Sequence, residues 1–91
     1  MWAAGPVSRS DEEAFLRAVG KRVRLLRLAR ELTQEQVAEA AGMSRSFVSL
    51  IEKGSHGVDV LRLLRLAGVF GMPLAELVDL TTPLPVDRAA A

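Results

Sequence analysis

The stretch "LTQEQVAEAAGMSRSFVSLIEKG", residues 32–54, holds two short amphipathic segments split by Gly42 and closed by Gly54. Thr33 with Gln36 three residues on is a capping-box pair, so a helix is expected to start after Thr33. Val37, Ala38 and Ala41 recur at helical spacing and form its apolar stripe. Gly42 stops it, as suits a chain that must turn left-handed after a helix. Ser44 is the expected N-cap of the next helix. There Phe47, Val48 and Ile51 make an apolar side, and Arg45, Ser46, Ser49 and Lys53 a polar one. Helices of about two turns are marginal in water on their own. Tertiary contacts must hold them. Ala38 is small enough to let the two backbones approach, Val48 and Ile51 face Val37 and Ala41, and Met43 plugs the turn. The second helix is then pinned steeply, with its polar side outward.

Outward from this stretch the pattern stays helical. No alternating apolar run bounded by turns argues for a strand, and no internal repeat is visible. A first helix is expected from about Asp11, capped by Ser10 with Glu13, with Phe15, Val19, Val23 and Leu26 inward and Arg17, Lys21, Arg24 and Arg30 elsewhere. Gly20 weakens its middle. After the loop "GSHGV", Asp59 is the expected N-cap of a fourth helix. It would turn Val60, Leu63, Leu64, Ala67 and Phe70 inward and Arg62 and Arg65 to water. Gly71 ends it, and Pro73 suits the first position of a short fifth helix, "PLAELVDL". The expected organisation is all-α and five-helical: a loose arm over 1–10, one domain over 11–80 and a Pro-containing tail over 81–91.

Composition narrows the function. The 91 residues suffice for one small core, which is marginal unless helices pack well or copies associate. There is no cysteine, so neither a disulfide framework nor a thiolate metal site, and the single histidine, His56, makes no zinc site alone. No cofactor is expected. The start, "MWAAGPVSRSDEE", has no apolar signal core, and no apolar run is long enough to cross a bilayer, so a cytoplasmic, nucleoid-associated place is expected. Net charge is only +1, but it is unevenly placed. Between Arg17 and Lys53 eight basic residues face four acidic ones, which leaves +4 there and −3 in the two ends together. Such a cluster is either a solvated helix face or a surface for phosphates.

The polar side of the helix after Ser44 has the shape and chemistry to enter a DNA major groove. The N-terminus of the helix before it offers free N–H groups and Gln34 to a phosphate oxygen. At this point "TQEQVAEAAGMSRSFVSLIEKG" resembles the helix-turn-helix of Xre/Cro-type DNA-binding proteins, the lambda- and 434-repressor class. That class is also a standard example of helix-turn-helix docking. The resemblance runs over about residues 13–80 and takes in "VGKRVRLLR", "LTQEQVAEAAG", "IEKG" and "FGMPLAELV". Gln34, Val37, Ala38, Gly42, Val48, Ile51, Glu52 and Gly54 stand at the family's spacing.

The resemblance implies a compact five-helix lambda-repressor-like fold and roles for single residues. Gln34 matches the phosphate-clamping glutamine. Arg45 and Ser46 match positions that touch base edges, with Ser49 and Leu50 further along the same face. Lys53, Ser55 and His56 fall where the chain runs beside the backbone and take phosphate roles. Arg27 and Glu52 match an ion pair that ties the first helix to the end of the third. A carboxylate in the last turn opposes the helix dipole, so Glu52 has its own need of a cation. Arg45 suits either a guanine edge or a phosphate. Leu50 departs from the family's polar habit and meets either a thymine methyl or only the helix edge. Phe47 is core or groove rim; with few aromatics and no Tyr, base stacking on single strands is not the mode.

One module contacts few base pairs, and specific sites are usually read by two-fold dimers. Helix 5 has apolar residues to spare, and Leu74, Val78 and Leu80 are the expected homodimer contacts, with Leu77 in the core. Trp2 and Phe15 are further candidates for it. The expected function is a sequence-specific, double-stranded-DNA-binding transcriptional regulator with no membrane partner. The alternative is a protein-binding adaptor or antitoxin-like partner-masking protein on the same fold. An enzyme is not expected, because no nucleophile, paired carboxylates or phosphate-binding glycine loop accompany His56.

Overall fold

The computed structural model describes residues 5–55 and 57–81. Five helices follow in order: α1 (Arg9–Ala29), α2 (Gln34–Ala41), α3 (Arg45–Lys53), α4 (Val60–Val69) and α5 (Leu74–Leu77). No strand occurs among the described residues. The core is built from Val19, Val23 and Leu26 of α1, Val37, Ala38 and Ala41 of α2, and Val48 and Ile51 of α3. Leu63, Leu66, Ala67, Phe70 and Leu77 close it from the other side. α3 packs on α1 and α2, α4 on α2, and α5 on α4 and α1.

Four helix ends are built alike. The amides of Leu32, Met43, Ser55 and Met72 each bond the carbonyl five residues back, on Arg27, Ala38, Leu50 and Ala67. In each case the residue before the donor is left-handed: Glu31 (φ 55), Gly42 (φ 67), Gly54 (φ 69) and Gly71 (φ 68). This is the closure that glycine makes without steric cost. Glu31 is the exception and does it with a side chain.

Three features differ from the sequence reading. α1 begins at Arg9, not Asp11, because Ser8 and not Ser10 caps it. Ser8 Oγ accepts from the Asp11 amide and Asp11 Oδ2 accepts from the Ser8 amide, each at 3.1 Å. Two serines each precede an acid by three residues, and the earlier pair forms the box. Residues 9 and 10, expected in the arm, are therefore helical. α5 stops at Leu77, and Pro73 is its N-cap rather than its first residue. Arg22, buried in α1, donates from Nε to the Leu77 carbonyl (2.9 Å) and from Nη2 to that of Glu76 (2.8 Å). Those bonds serve carbonyls that the helix end leaves open. Asp79 accepts from the amide and hydroxyl of Thr81, a local turn rather than another helical residue.

The third difference is the phase of α4. Leu63, Leu66, Ala67 and Phe70 are buried, whereas Val60 and Leu64, expected inward, are 67% and 52% exposed. A segment with apolar residues at 60, 61, 63, 64 and 66 offers two overlapping stripes. Phe70 and Leu63 belong to both, and the stripe through Leu66 is the one that meets α2. Trp2, His56 and nearly all of the tail over 81–91 lie outside the described residues.

Candidate nucleic-acid interface

The outer face of α3 is one stripe of a helix. Arg45, Ser46, Leu50 and Lys53 are exposed and Ser49 is half-buried, while Val48 and Ile51 point into the core. The spacing explains the division: residues 45, 46, 49, 50 and 53 share one side of a 3.6-residue period. Ser44 starts the helix by accepting from the Phe47 amide through Oγ at 3.1 Å. Ser55 is exposed just past Gly54, its hydroxyl bonded to the Leu50 carbonyl. His56 is not described.

The far end of α3 is anchored against α1. At Gly20 a Cβ would sit 2.2 Å from the Ile51 carbonyl oxygen and 2.8 Å from that of Glu52. At Gly54 it would sit 2.7 Å from Arg17 Cα. Both positions accept only glycine at this separation, so Gly20 sets how near α3 lies to α1 rather than merely weakening a helix. Beside them Arg27 donates from Nε to Glu52 Oε2 (2.7 Å) and from Nη2 to Oε1 (3.0 Å). Its Nη1 bonds the Leu32 carbonyl at 2.9 Å. The two side chains are 10% and 3% exposed. Hydrogen bonding to Glu52 raises the Arg27 pKa above its ordinary value, outweighing the effect of burial.

Gln34 joins this cluster. Its Nε2 donates to Glu52 Oε1 at 3.1 Å, which ties the first residue of α2 to the last turn of α3. A carboxamide nitrogen carries two N–H groups, so one remains for another acceptor. Arg27, Gln34 and Glu52 thus come together, and Arg45 does not join them. Arg45 donates instead from Nε to Glu35 Oε1 at 3.2 Å, in an exposed pair. The Glu35 carboxyl is held below its ordinary pKa, first by a hydrogen bond from its own backbone N–H, then by Arg45.

Phe47 is half-buried, packed on the core, with the Arg62 guanidinium 4.8 Å from its ring centroid. Arg62 also meets Asp59, whose carboxylate caps α4 by accepting from the Arg62 amide at 2.9 Å. Arg62, expected to face water, keeps 42% of its side chain exposed while making these contacts, and its Nε is buried without a hydrogen-bond partner. Arg30, exposed at the C-cap of α1, is also tied to the fold. It donates to the carbonyls of Phe70 (2.6 Å) and Leu26 (3.3 Å), its guanidinium 5.5 Å from the centre of the Phe70 ring. Arg22, Arg27 and Arg30 therefore serve structure, and Arg9, Arg17, Lys21 and Arg24 are the exposed cations of α1. Spacing gives no sign of this, because the Leu77 carbonyl that Arg22 reaches and the Phe70 carbonyl that Arg30 reaches lie 55 and 40 residues away.

Leu74, Val78 and Leu80 are half-buried against the core. On α4, Val60, Leu61 and Leu64 are more exposed than these, at 67%, 64% and 52%. Among the described residues no group of three or more His, Cys, Asp or Glu side chains could hold a metal ion, and no helix is long and apolar enough to cross a membrane.

The helix-turn-helix family matches residues 23–77, from the second half of α1 through the last residue of α5. The chain belongs to the helix-turn-helix family, of the Xre/Cro type. Within it, the immunity repressor protein of Bacillus phage phi105 is 34% identical over 71 residues, 78% of this chain and 49% of the repressor. The cryptic phage CTXphi transcriptional repressor RstR of Vibrio cholerae is 37% identical over 58 residues, 64% of this chain and 52% of that protein. This chain spans about half the length of these two repressors. Among solved structures, the restriction-modification controller protein C.AhdI from Aeromonas hydrophila superposes with a TM-score of 0.68. It is 38% identical, and the match covers 70% of this chain and 97% of C.AhdI.

Proposed function

We infer that this helix-turn-helix protein is a sequence-specific, double-stranded-DNA-binding transcriptional regulator that works as a homodimer. The observation that carries the reading is the outer face of α3. Arg45, Ser46, Ser49, Leu50 and Lys53 share one side of a helix whose other side is buried and whose far end is anchored. A polar, partly cationic rod of this kind suits the major groove. Arg45, Ser46 and Ser49 take base edges, with Leu50 against a thymine methyl. Gln34, oriented by Glu52, offers its second N–H to a phosphate, and Lys53, Ser55 and His56 follow the backbone. The relatives named as repressors support the same reading. Its place is then with the DNA, in the cytoplasm.

Two copies answer the short reach of one nine-residue recognition helix. In this reading they meet through the outer parts of Leu74, Val78 and Leu80 and through α4, which packs on α5 and carries Val60, Leu61 and Leu64. That apolar side of α4 is also what an adaptor for another protein would show. Selection of bound fragments from random duplex DNA decides between the two. A regulator enriches a two-fold site, with affinity falling steeply as salt rises, because each phosphate contact releases counterions. An adaptor enriches no site and gives a flat salt response. Sedimentation at micromolar concentration, with and without the selected site, tests the dimer; a monomer bound singly to that site would remove it.

A further inference from the structure

An acid stands where a phosphate-facing surface has least use for one. Glu35 is the second residue of α2, and 67% of its side chain is exposed beside the N-terminus of α3. Its carboxylate holds Arg45, the first residue of α3, by a single contact from Nε to Oε1 at 3.2 Å. The pair has little structural work to do. Exposed pairs add little stability, and the angle between α2 and α3 is already set by Val37, Ala38, Ala41, Val48 and Ile51 in the core. What the contact does settle is which edge of the Arg45 guanidinium is taken. Five N–H donors lie in one planar fork. With Nε engaged, the end bearing Nη1 and Nη2 remains, and that end matches the O6 and N7 of a guanine. A phosphate gains less from such an arginine, because the positive charge is already countered and the approaching anion meets a carboxylate.

Resting on the DNA-binding reading above, we propose that Glu35 is a positioning and specificity-determining residue: by holding Arg45 through Nε, it commits that arginine to base edges and weakens its use on phosphates. Glu35 lies at the open N-terminus of α2, where its own N–H and the helix dipole keep it ionised.

The test uses the full chain, the duplex site selected from random DNA, and an unrelated duplex of equal length. Dissociation constants are measured at several salt concentrations for the unsubstituted protein, Glu35→Gln, Arg45→Ala and the double variant. Glu35→Gln should bind the unrelated duplex more tightly, with a salt dependence steeper by about one phosphate contact. Its preference for the selected site should fall about fivefold or more, the low end of what a bidentate guanine contact discriminates. In the Arg45→Ala background the same substitution should leave that preference unchanged. Equal tightening on both duplexes would make Glu35 a general charge and overturn the proposal. So would a loss of preference that persists without Arg45. Failure of the unsubstituted protein to bind any duplex would instead defeat the DNA-binding reading itself, a result distinct from a Glu35→Gln variant that binds DNA with its selectivity intact.

Discussion

The two ends of α3 are built on opposite principles. Its C-terminal end has Gly20 and Gly54 at contact with backbone, and Glu52 carries three hydrogen bonds from Arg27 and Gln34 in a nearly dry setting. Its N-terminal end has Arg45 and Ser46 in water, with one exposed ion pair. The contrast separates holding from reading. A helix that is to be inserted into a groove needs its angle fixed at a place the groove does not touch, and donors left accessible at the place it does. Substitutions at the anchored end should therefore act first on stability and reach recognition only through Gln34, and those at the open end should act on recognition.

The sharpest way to break that division is Glu52→Ala. It leaves Arg27 buried without its counter-charge and Gln34 without its acceptor, and should cost about 3–5 kcal/mol in urea unfolding. Replacing both partners, with Arg27→Met and Glu52→Leu, should return much of that stability, since a buried pair is often matched by apolar packing. The double variant should still bind its site more weakly, because Gln34 is no longer oriented. Full recovery of both would mean the pair does nothing for recognition.

Gly20→Ala comes next. Its methyl would lie 2.2 Å from the Ile51 carbonyl oxygen, so α3 must move. Overpacking of this kind typically costs about 1–3 kcal/mol, and backbone rather than a flexible side chain has to yield here, which puts the cost at the upper end. A thermal midpoint unchanged from that of the unsubstituted protein would show that α1 and α3 are further apart than described.

At the open end, Arg45→Ala should leave urea unfolding within about 0.5 kcal/mol. It should lower discrimination between the selected and a mismatched site by about 1–3 kcal/mol in an equilibrium binding assay. Destabilisation with unchanged discrimination would reverse the roles of the two ends.

The smallest effect concerns pH. Asp59 is held below the ordinary carboxyl range, chiefly by the Arg62 amide it caps and then by the Arg62 side chain. A carboxyl with a depressed folded pKa contributes stability that is present above its unfolded value, about 4, and is lost as pH falls through the folded one. Urea midpoints should therefore decline below about pH 4. Asp59→Asn, which keeps a capping oxygen, should make that decline shallower. An identical decline in the variant would remove Asp59 as a contributor.

The same contrast describes what the sequence discloses. α2 and α3 are legible almost to the residue, because Thr33 with Gln36, Gly42, Ser44 and Gly54 act on backbone within a few positions of themselves. The start of α1 is ambiguous because Ser8 and Ser10 both precede an acid by three. The phase of α4 is ambiguous because its apolar residues are too many for one stripe. Arg22 and Arg30 look like any other cations of α1; only the folded chain brings the carbonyls of Leu77 and Phe70 to them. Gly20 shows the same limit, since its reason lies in Ile51 and Glu52. At the candidate site the exposed stripe of α3 can be read from spacing. The Arg45–Glu35 contact cannot, because it depends on where two side chains meet across the turn.

Amide chemical shifts, followed by NMR as the selected duplex is added to the labelled protein, would show which helix meets the DNA. The largest changes should fall at Gln34 and over residues 45–50, with the core amides of Val23, Leu26 and Leu66 little moved. Changes concentrated on Val60, Leu61 and Leu64 with α3 silent would contradict it, because the chain would then meet its target through α4 rather than through the helix that α1 holds in place.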